Sequence, residues 1–262
     1  DVYKRQLVGF ILPLTCRLKD KWVFLLACVL LIQPLPLYYV IRACLNPSFI
    51  TPAIPTRSFW DATFAVQSHG SFLETVRVNL WEGQIASLAW AWDHGRVFQT
   101  AALFLLGMLI GRRGLFQKEN LKVWNKILAG ALIAFFPLYG LGNMLPAFIV
   151  NKSILTPLSL IITSLSNFSF MLVLVSGVIF AFYNTNMHYL LMKITPYGKM
   201  SLTNYITQSI VGSMLYYNWG FALHNQCGIT VSCLAGIAFF ILQFTFCRWW
   251  MSHHSHGPME YI

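Results

Sequence analysis

An imidazole, a carboxylate and a guanidinium fall within five residues at Trp92-Asp93-His94-Gly95-Arg96, and these are side chains that general acid–base catalysis employs. His94 beside a carboxylate is a candidate base. Neighbouring residues on a helix do not face one another, so Asp93 and His94 pair only if the backbone turns at Gly95; otherwise the run is a polar cap on an apolar segment. A second candidate face joins Ser201, Asn204 and Gln208, whose spacings of three and four align on a helix. Amides inside an apolar segment either hydrogen-bond a neighbouring helix or line a substrate cavity. Asn167, flanked by Thr163, Ser164, Ser166 and Ser169, is explained by small-residue helix packing alone.

Arg112 and Arg113 follow two glycines four apart, Gly107 and Gly111. The glycines predict a close helix contact, within the chain or between copies of it. The arginines predict an inner-surface anchor or a site for an anionic headgroup or donor phosphate. Arg77 and Arg96, with Arg112, Asn204 and Gln208, complete the candidate substrate-binding set. The run His253-His254-Ser255-His256 lacks a carboxylate or cysteine partner, so it reads as an interfacial tail and no metal site is expected. Walker, Gly-x-Gly-x-x-Gly, Cys-x-x-Cys and Gly-x-Ser-x-Gly motifs are absent, which removes the corresponding ATPase, dinucleotide, zinc-ribbon and hydrolase readings.

The elements that must position these residues are set by hydropathy. With 57% hydrophobic and 10% charged residues and a mean hydropathy of +0.61, the chain is too apolar for a soluble fold, which carries about 25% charged residues. The pattern predicts an all-α, polytopic transmembrane bundle with about six full spans, a truncated N-terminal span and an interfacial helical segment. The net charge of +10 is not a nucleic-acid footprint, because the basic residues sit in short loops between apolar runs. Eleven of the eighteen Lys and Arg residues, among them Lys118, Lys122 and Lys126, fall on one side of that alternation. That side is expected to be cytoplasmic, with the C-terminus on it. Residues 46–95 hold half of the eight acidic residues and are expected outside, as helices lying in the headgroup plane.

By region, residues 1–6 resemble an assembly scar, residues 7–45 a truncated span and the first full span, residues 46–95 the outer segment, and residues 96–262 a five-span membrane domain. Gln33-Pro34-Leu35-Pro36 predicts a kink in the first full span. A start at Asp1 and an end just past Gly-Pro-Met-Glu suggest a piece of a longer reading frame.

The ordered set Gly198-Lys199-Met200-Ser201-Leu202-Thr203-Asn204-Tyr205, Gln208-Ser209, Arg248-Trp249-Trp250 and Gly257-Pro258-Met259-Glu260 resembles the C-terminal region of the YeiB-like proteins, the domain of unknown function 418 family. The likeness extends back through the glycine seam to Gly70-Ser71-Phe72 and Arg77. It implies a bacterial multi-pass inner-membrane protein, distantly similar to membrane acyltransferases that pass an acyl group from a cytoplasmic thioester to an acceptor at the far face. Acyl-coenzyme A is then the expected donor substrate, with no bound cofactor, and a small molecule or glycan the acceptor. The family's upstream Asp-x-x-Arg-Gly motif and the transferases' membrane-embedded histidine have no counterpart here; histidines meet the spans only at their ends, at His94 and His224, and no catalytic residue is carried over from the resemblance. The alternative is a transporter or lipid-handling permease, with the Pro-broken span and the amide face lining its path. Besides the lipid bilayer, the partner expected is a second copy or another membrane protein at Gly107 and Gly111.

Overall fold

The computed structural model describes residues 6, 8–46, 48–52 and 56–261. The expected scar lies outside the described residues except for Gln6. Among the described residues the chain is helical and contains no strand. Two compact units divide it: residues 1–56 with 85–183, and residues 57–84 with 184–262.

The first unit begins with the short α1 (Ile11–Thr15), followed by α2 (Asp20–Leu31) and α3 (Pro34–Leu45). Proline at 34 and 36 carries no N–H, so both are tolerated in the first turn of α3 but cannot continue α2. Gln33 absorbs the discontinuity with φ 61° and ψ 74°, and the two helices bend by 51°. A second break separates α6 (Glu82–Asp93, its first turn at the unit boundary) from α7 (Arg96–Arg112). Gly95 there has φ 62°, and the bend is 76°.

Helix α2 packs on α7 through Val23, Ala27, Leu105 and Leu109. The long helices α8 (Leu121–Phe148) and α9 (Lys152–Tyr183) form the closest-packed pair of this unit, and α9 also packs on α3. At 1.5 Å per residue α8 and α9 are about 42 and 48 Å long, enough to cross a bilayer.

In the second unit, α4 (Thr56–His69, its first residue Thr56 belonging to the first unit) is followed by α5 (Phe72–Leu80). Ser71 and Glu74 form a capping box at the start of α5. Helix α10 (Thr185–Lys199) packs on α12 (Ile229–His253), with α11 (Ser201–Tyr216) between them in sequence. The Asn184 side chain caps α10 by accepting from the N–H groups of Asn186 and Met187.

Among the described residues, three helical segments are long and apolar enough to span a membrane, and up to five if each bent pair counts as one span. Only 6% of the apolar window is buried by protein in both α8 and α12, and residues such as Ile133 and Leu242 are 75% and 67% exposed. Such continuous apolar surface requires lipid. Of the six full spans expected, length and composition support three to five among the described residues. Within residues 96–262, where five spans are expected, α11 stops at Tyr216 after 16 residues, about 24 Å against a hydrocarbon core of about 30 Å. The expected kink at Gln33 is present. Residues 97–110, read as a short span unless residues 90–96 extend it, belong to α7, which meets α6 at a corner of 76°; counted together the pair is one candidate span.

Candidate functional site

The two helix breaks of the first unit lie against each other. Gln33 is 1% exposed and donates from Nε2 to Ser164 Oγ of α9 at 2.9 Å. Gln99 of α7 donates to the Ser164 carbonyl at 3.3 Å, and Arg96 donates to Gln99 Oε1 at 2.8 Å. A polar ladder from Arg96 through Gln99 and Ser164 to Gln33 thus joins α7, α9 and the α2–α3 break. Gln33 Oε1 has no hydrogen-bond partner; it rests against Gly95, where a Cβ would lie 2.2 Å away.

Beside this crossing is a cavity of about 500 Å³ whose walls include Asp93, His94 and Lys152. Asp93 ends α6 and accepts from Thr56 Oγ1 at 3.0 Å. His94 lies in the corner, its ring stacked on Trp90 with centroids 4.8 Å apart. Its Nδ1 is 3.0 Å from the Trp90 carbonyl. A carbonyl only accepts, so Nδ1 carries the proton of that bond and Nε2 is left for other work. Lys152 comes from the first turn of α9, and Tyr39, Trp92 and Pro157 supply much of the apolar wall. Asp93 and His94 stay adjacent in the chain without pairing; the turn at Gly95 brings them to one cavity.

The amide face of α11 has a different setting. Asn204, 4% exposed, donates to the Tyr197 carbonyl at 3.0 Å and accepts from the Cys247 thiol at 3.2 Å. Gln208 donates to Tyr197 Oη at 3.0 Å and to Gln243 Oε1 at 2.8 Å, while Gln243 donates to the Asn204 carbonyl at 3.2 Å. These amides tie α11 to α10 and α12. Glu260 reaches back over more than fifty residues to cap α11, accepting from the N–H groups of Leu202 and Thr203 at 2.9 and 3.0 Å and from Thr203 Oγ1 at 2.5 Å. A Cβ at Gly257 would lie 2.0 Å from Glu260 Oε2, so the Gly-Pro-Met-Glu segment is the hook that delivers this carboxylate. Burial pushes the Glu260 carboxyl up, but the hydrogen bonds from Thr203 and Leu202 outweigh it and hold it below its ordinary value.

Arg112 donates to the Leu18 carbonyl at 3.1 Å, to Asp20 at 3.4 Å and to the Cys16 carbonyl, and Arg113 pairs with Asp20 at 3.0 Å. The pair staples the end of α7 to the turn before α2. Arg77 is exposed in the last turn of α5. Gly107 and Gly111 have open space around them, with no atom within 4 Å of an added Cβ at either position.

Residues 110–262, more than half of the chain, match the family described as "Protein of unknown function (DUF418)". The chain belongs to the DUF418 family. It is similar to "Uncharacterized protein YxaH" of Bacillus subtilis (strain 168), 28% identical over 88 residues that make up 34% of this chain and 22% of the relative. The chain thus spans about a fifth of the length of the curated relative it matches. No solved structure matches. With its lipid-requiring helices, this DUF418 member is a membrane protein. The DUF418 region contains Lys152, Ser164, the amide network and the Glu260 hook, while Gln33, Asp93 and His94 precede it.

Sequence reasoning did not single out Lys152 or Gln243. The available signal for Lys152 was its position: a lone cation between two long apolar runs on the positive-poor side of the charge pattern.

Proposed function

We propose that this chain takes part in acyl transfer in a bacterial inner membrane, with the Asp93–His94–Lys152 cavity as the acceptor site and the C-terminus in the cytoplasm. The observation that carries the reading is His94: its Nδ1–H is tied to the Trp90 carbonyl, which directs Nε2 to act as the base of a residue lining the cavity. An acceptor amine or hydroxyl gives its proton to Nε2 and attacks the carbonyl carbon of an acyl-coenzyme A thioester. The C–S bond breaks, the acyl group becomes an amide or ester, and the departing thiolate takes up a proton. Positioned bases of this kind contribute about 10²- to 10⁴-fold.

Arg112 is already engaged by Cys16, Leu18 and Asp20, so the donor's phosphates are not assigned to it. Asn204 and Gln208 are given no substrate role in this reading; they frame the second unit, since each side-chain amide already has protein partners.

The test is thiol release from acetyl-coenzyme A by the full-length protein in lipid, with amine and hydroxyl acceptors, comparing wild type with His94→Gln. The expected result is acceptor-dependent release that falls about 10²-fold or more in the variant. Equal turnover in folded His94→Gln protein overturns the reading.

A permease is the second reading, favoured by the two broken helix pairs that meet at Gln33 and Gly95, since interrupted spans gather solute sites at their breaks. Solute flux in proteoliposomes without thiol release selects it.

A further inference from the structure

Asp93 and Lys152 line one cavity from different helices, yet among the described residues they form no ion pair with each other. Asp93 keeps one carboxylate oxygen beyond the bond from Thr56, which occupies Oδ2. Lys152 is exposed and has three N–H donors to offer. Apolar and aromatic groups, including Tyr39, Trp92 and Pro157, line the same cavity. Opposite charges that line one cavity without pairing with each other are open to a ligand that carries both complementary charges.

We infer that this cavity recognises a small zwitterion: a primary ammonium docks on Asp93, and a phosphate or carboxylate of the same molecule docks on Lys152. A headgroup of the aminoalkyl phosphate class fits this charge pattern and a cavity of about 500 Å³. A singly charged ligand leaves one wall unmatched. The ammonium is preferred over a quaternary amine because Asp93 accepts hydrogen bonds, which a trimethylated nitrogen cannot donate. As a statement about the acyl acceptor, this rests on the acyl-transfer reading, in which the ammonium on Asp93 lies within the reach of the neighbouring His94. As a statement about binding it stands without it.

The experiment is a tryptophan-fluorescence titration, with Trp92 in the cavity wall as reporter, on the full chain in nanodiscs of phosphatidylcholine and phosphatidylglycerol. The probes are phosphoethanolamine, ethanolamine, inorganic phosphate and phosphocholine. Phosphoethanolamine is expected to bind at least about tenfold tighter than each of the other three, a difference of about 1.4 kcal/mol. Asp93→Asn should remove its advantage over phosphate, and Lys152→Gln its advantage over ethanolamine. The wild-type comparison needs no variant, so a misfolded substitution does not blunt the test.

Phosphoethanolamine binding no tighter than phosphate or ethanolamine overturns the proposal, and equal binding of phosphocholine overturns the primary-ammonium assignment. Repeating the titration in nanodiscs containing phosphatidylethanolamine separates the two sources. Competition identifies the lipid headgroup, and an unchanged titration identifies the soluble molecule. Tight phosphoethanolamine binding without acyl transfer sinks the transferase reading and leaves this inference intact. Transfer to acceptors lacking either charge, with no preference for the zwitterion, does the reverse.

Discussion

Gln33 and Gly95 share a left-handed backbone and touch: the Gln33 Oε1 atom lies where a Cβ of residue 95 would begin, 2.2 Å from its ideal position. Two helices that each break can approach this closely only if one break lacks a side chain. The same contact closes the corner from which His94 and Asp93 reach their cavity.

Replacing Gly95 with alanine is therefore expected to be costly. The left-handed backbone alone charges an alanine about 1 kcal/mol, and the clash with a buried amide adds to it, for a total of about 2–4 kcal/mol. Gln33→Ser shortens the opposing side chain and should recover the clash component, so the two substitutions should be non-additive by about 1 kcal/mol or more. Thermal unfolding of the four proteins in lipid checks this, and simple additivity would refute the contact.

How much of this was legible in the sequence differs from residue to residue. The break at Gln33 could be read because Pro34 and Pro36 forbid a continuous helix whatever surrounds them. The corner at Gly95 could not, since a lone glycine in a short polar run fits a helix end as well as a turn. Asn204 and Gln208 were legible as a polar face, but their partners Tyr197, Gln243 and Cys247 are chosen by packing that periodicity does not encode. Gly-Pro-Met-Glu stood out as a motif while its role stayed hidden, because a cap supplied from more than fifty residues away has no local signature. The span count was legible only in part for a similar reason: hydropathy measures how apolar a stretch is, not where its helix ends.

The Glu260 cap makes the C-terminal hook sensitive to acid. Its carboxyl is held below its ordinary value of 4.5, so the folded state binds that proton less readily than the unfolded state. The contribution is present above pH 4.5 and is lost as pH falls through the depressed folded value. Amide exchange in the first turn of α11 should be protected at neutral pH and rise in that acidic window. Glu260→Ala should raise it at neutral pH, with a cost of about 1 kcal/mol, as for a lost helix cap. Exchange that ignores both the acid and the substitution would count against the hook.

Asn204 and Gln208 should separate in their effects on stability. Asn204 is buried, and Asn204→Ala leaves the Tyr197 carbonyl and the Cys247 thiol without their partners, an expected loss of about 1–3 kcal/mol. Gln208 is exposed, so Gln208→Ala should cost only about 0.6 kcal/mol, the usual size of an interhelical hydrogen bond in a membrane. Unfolding of each variant in detergent measures the difference. A larger loss at Gln208 would mean that the network is ordered differently.

The arginine pair at the end of α7 should also divide. Arg112 reaches two backbone carbonyls as well as Asp20, whereas Arg113 reaches Asp20 alone from a side chain that is 60% exposed. Exposed ion pairs contribute little, but hydrogen bonds from a cation to carbonyls at a helix junction are lost outright on truncation. Arg112→Ala is expected to lower the melting temperature clearly more than Arg113→Ala, and Arg112→Lys to restore only part of the loss because an ammonium lacks the planar fork.

Gly107 and Gly111 distinguish a helix contact between copies from a surface bathed in lipid. Neither would clash with a Cβ inside the chain, so Gly107→Leu should leave the melting temperature of the isolated chain nearly unchanged. If the seam closes against a second copy, the bulky side chain should abolish self-association, because a small-xxx-small contact needs the two backbones to approach. Cysteine placed by Gly107→Cys should then crosslink between copies in the membrane, and Gly111→Leu should suppress that crosslink. Efficient crosslinking that survives Gly111→Leu would rule out a glycine-mediated approach, while a chain that never crosslinks assigns the seam to lipid.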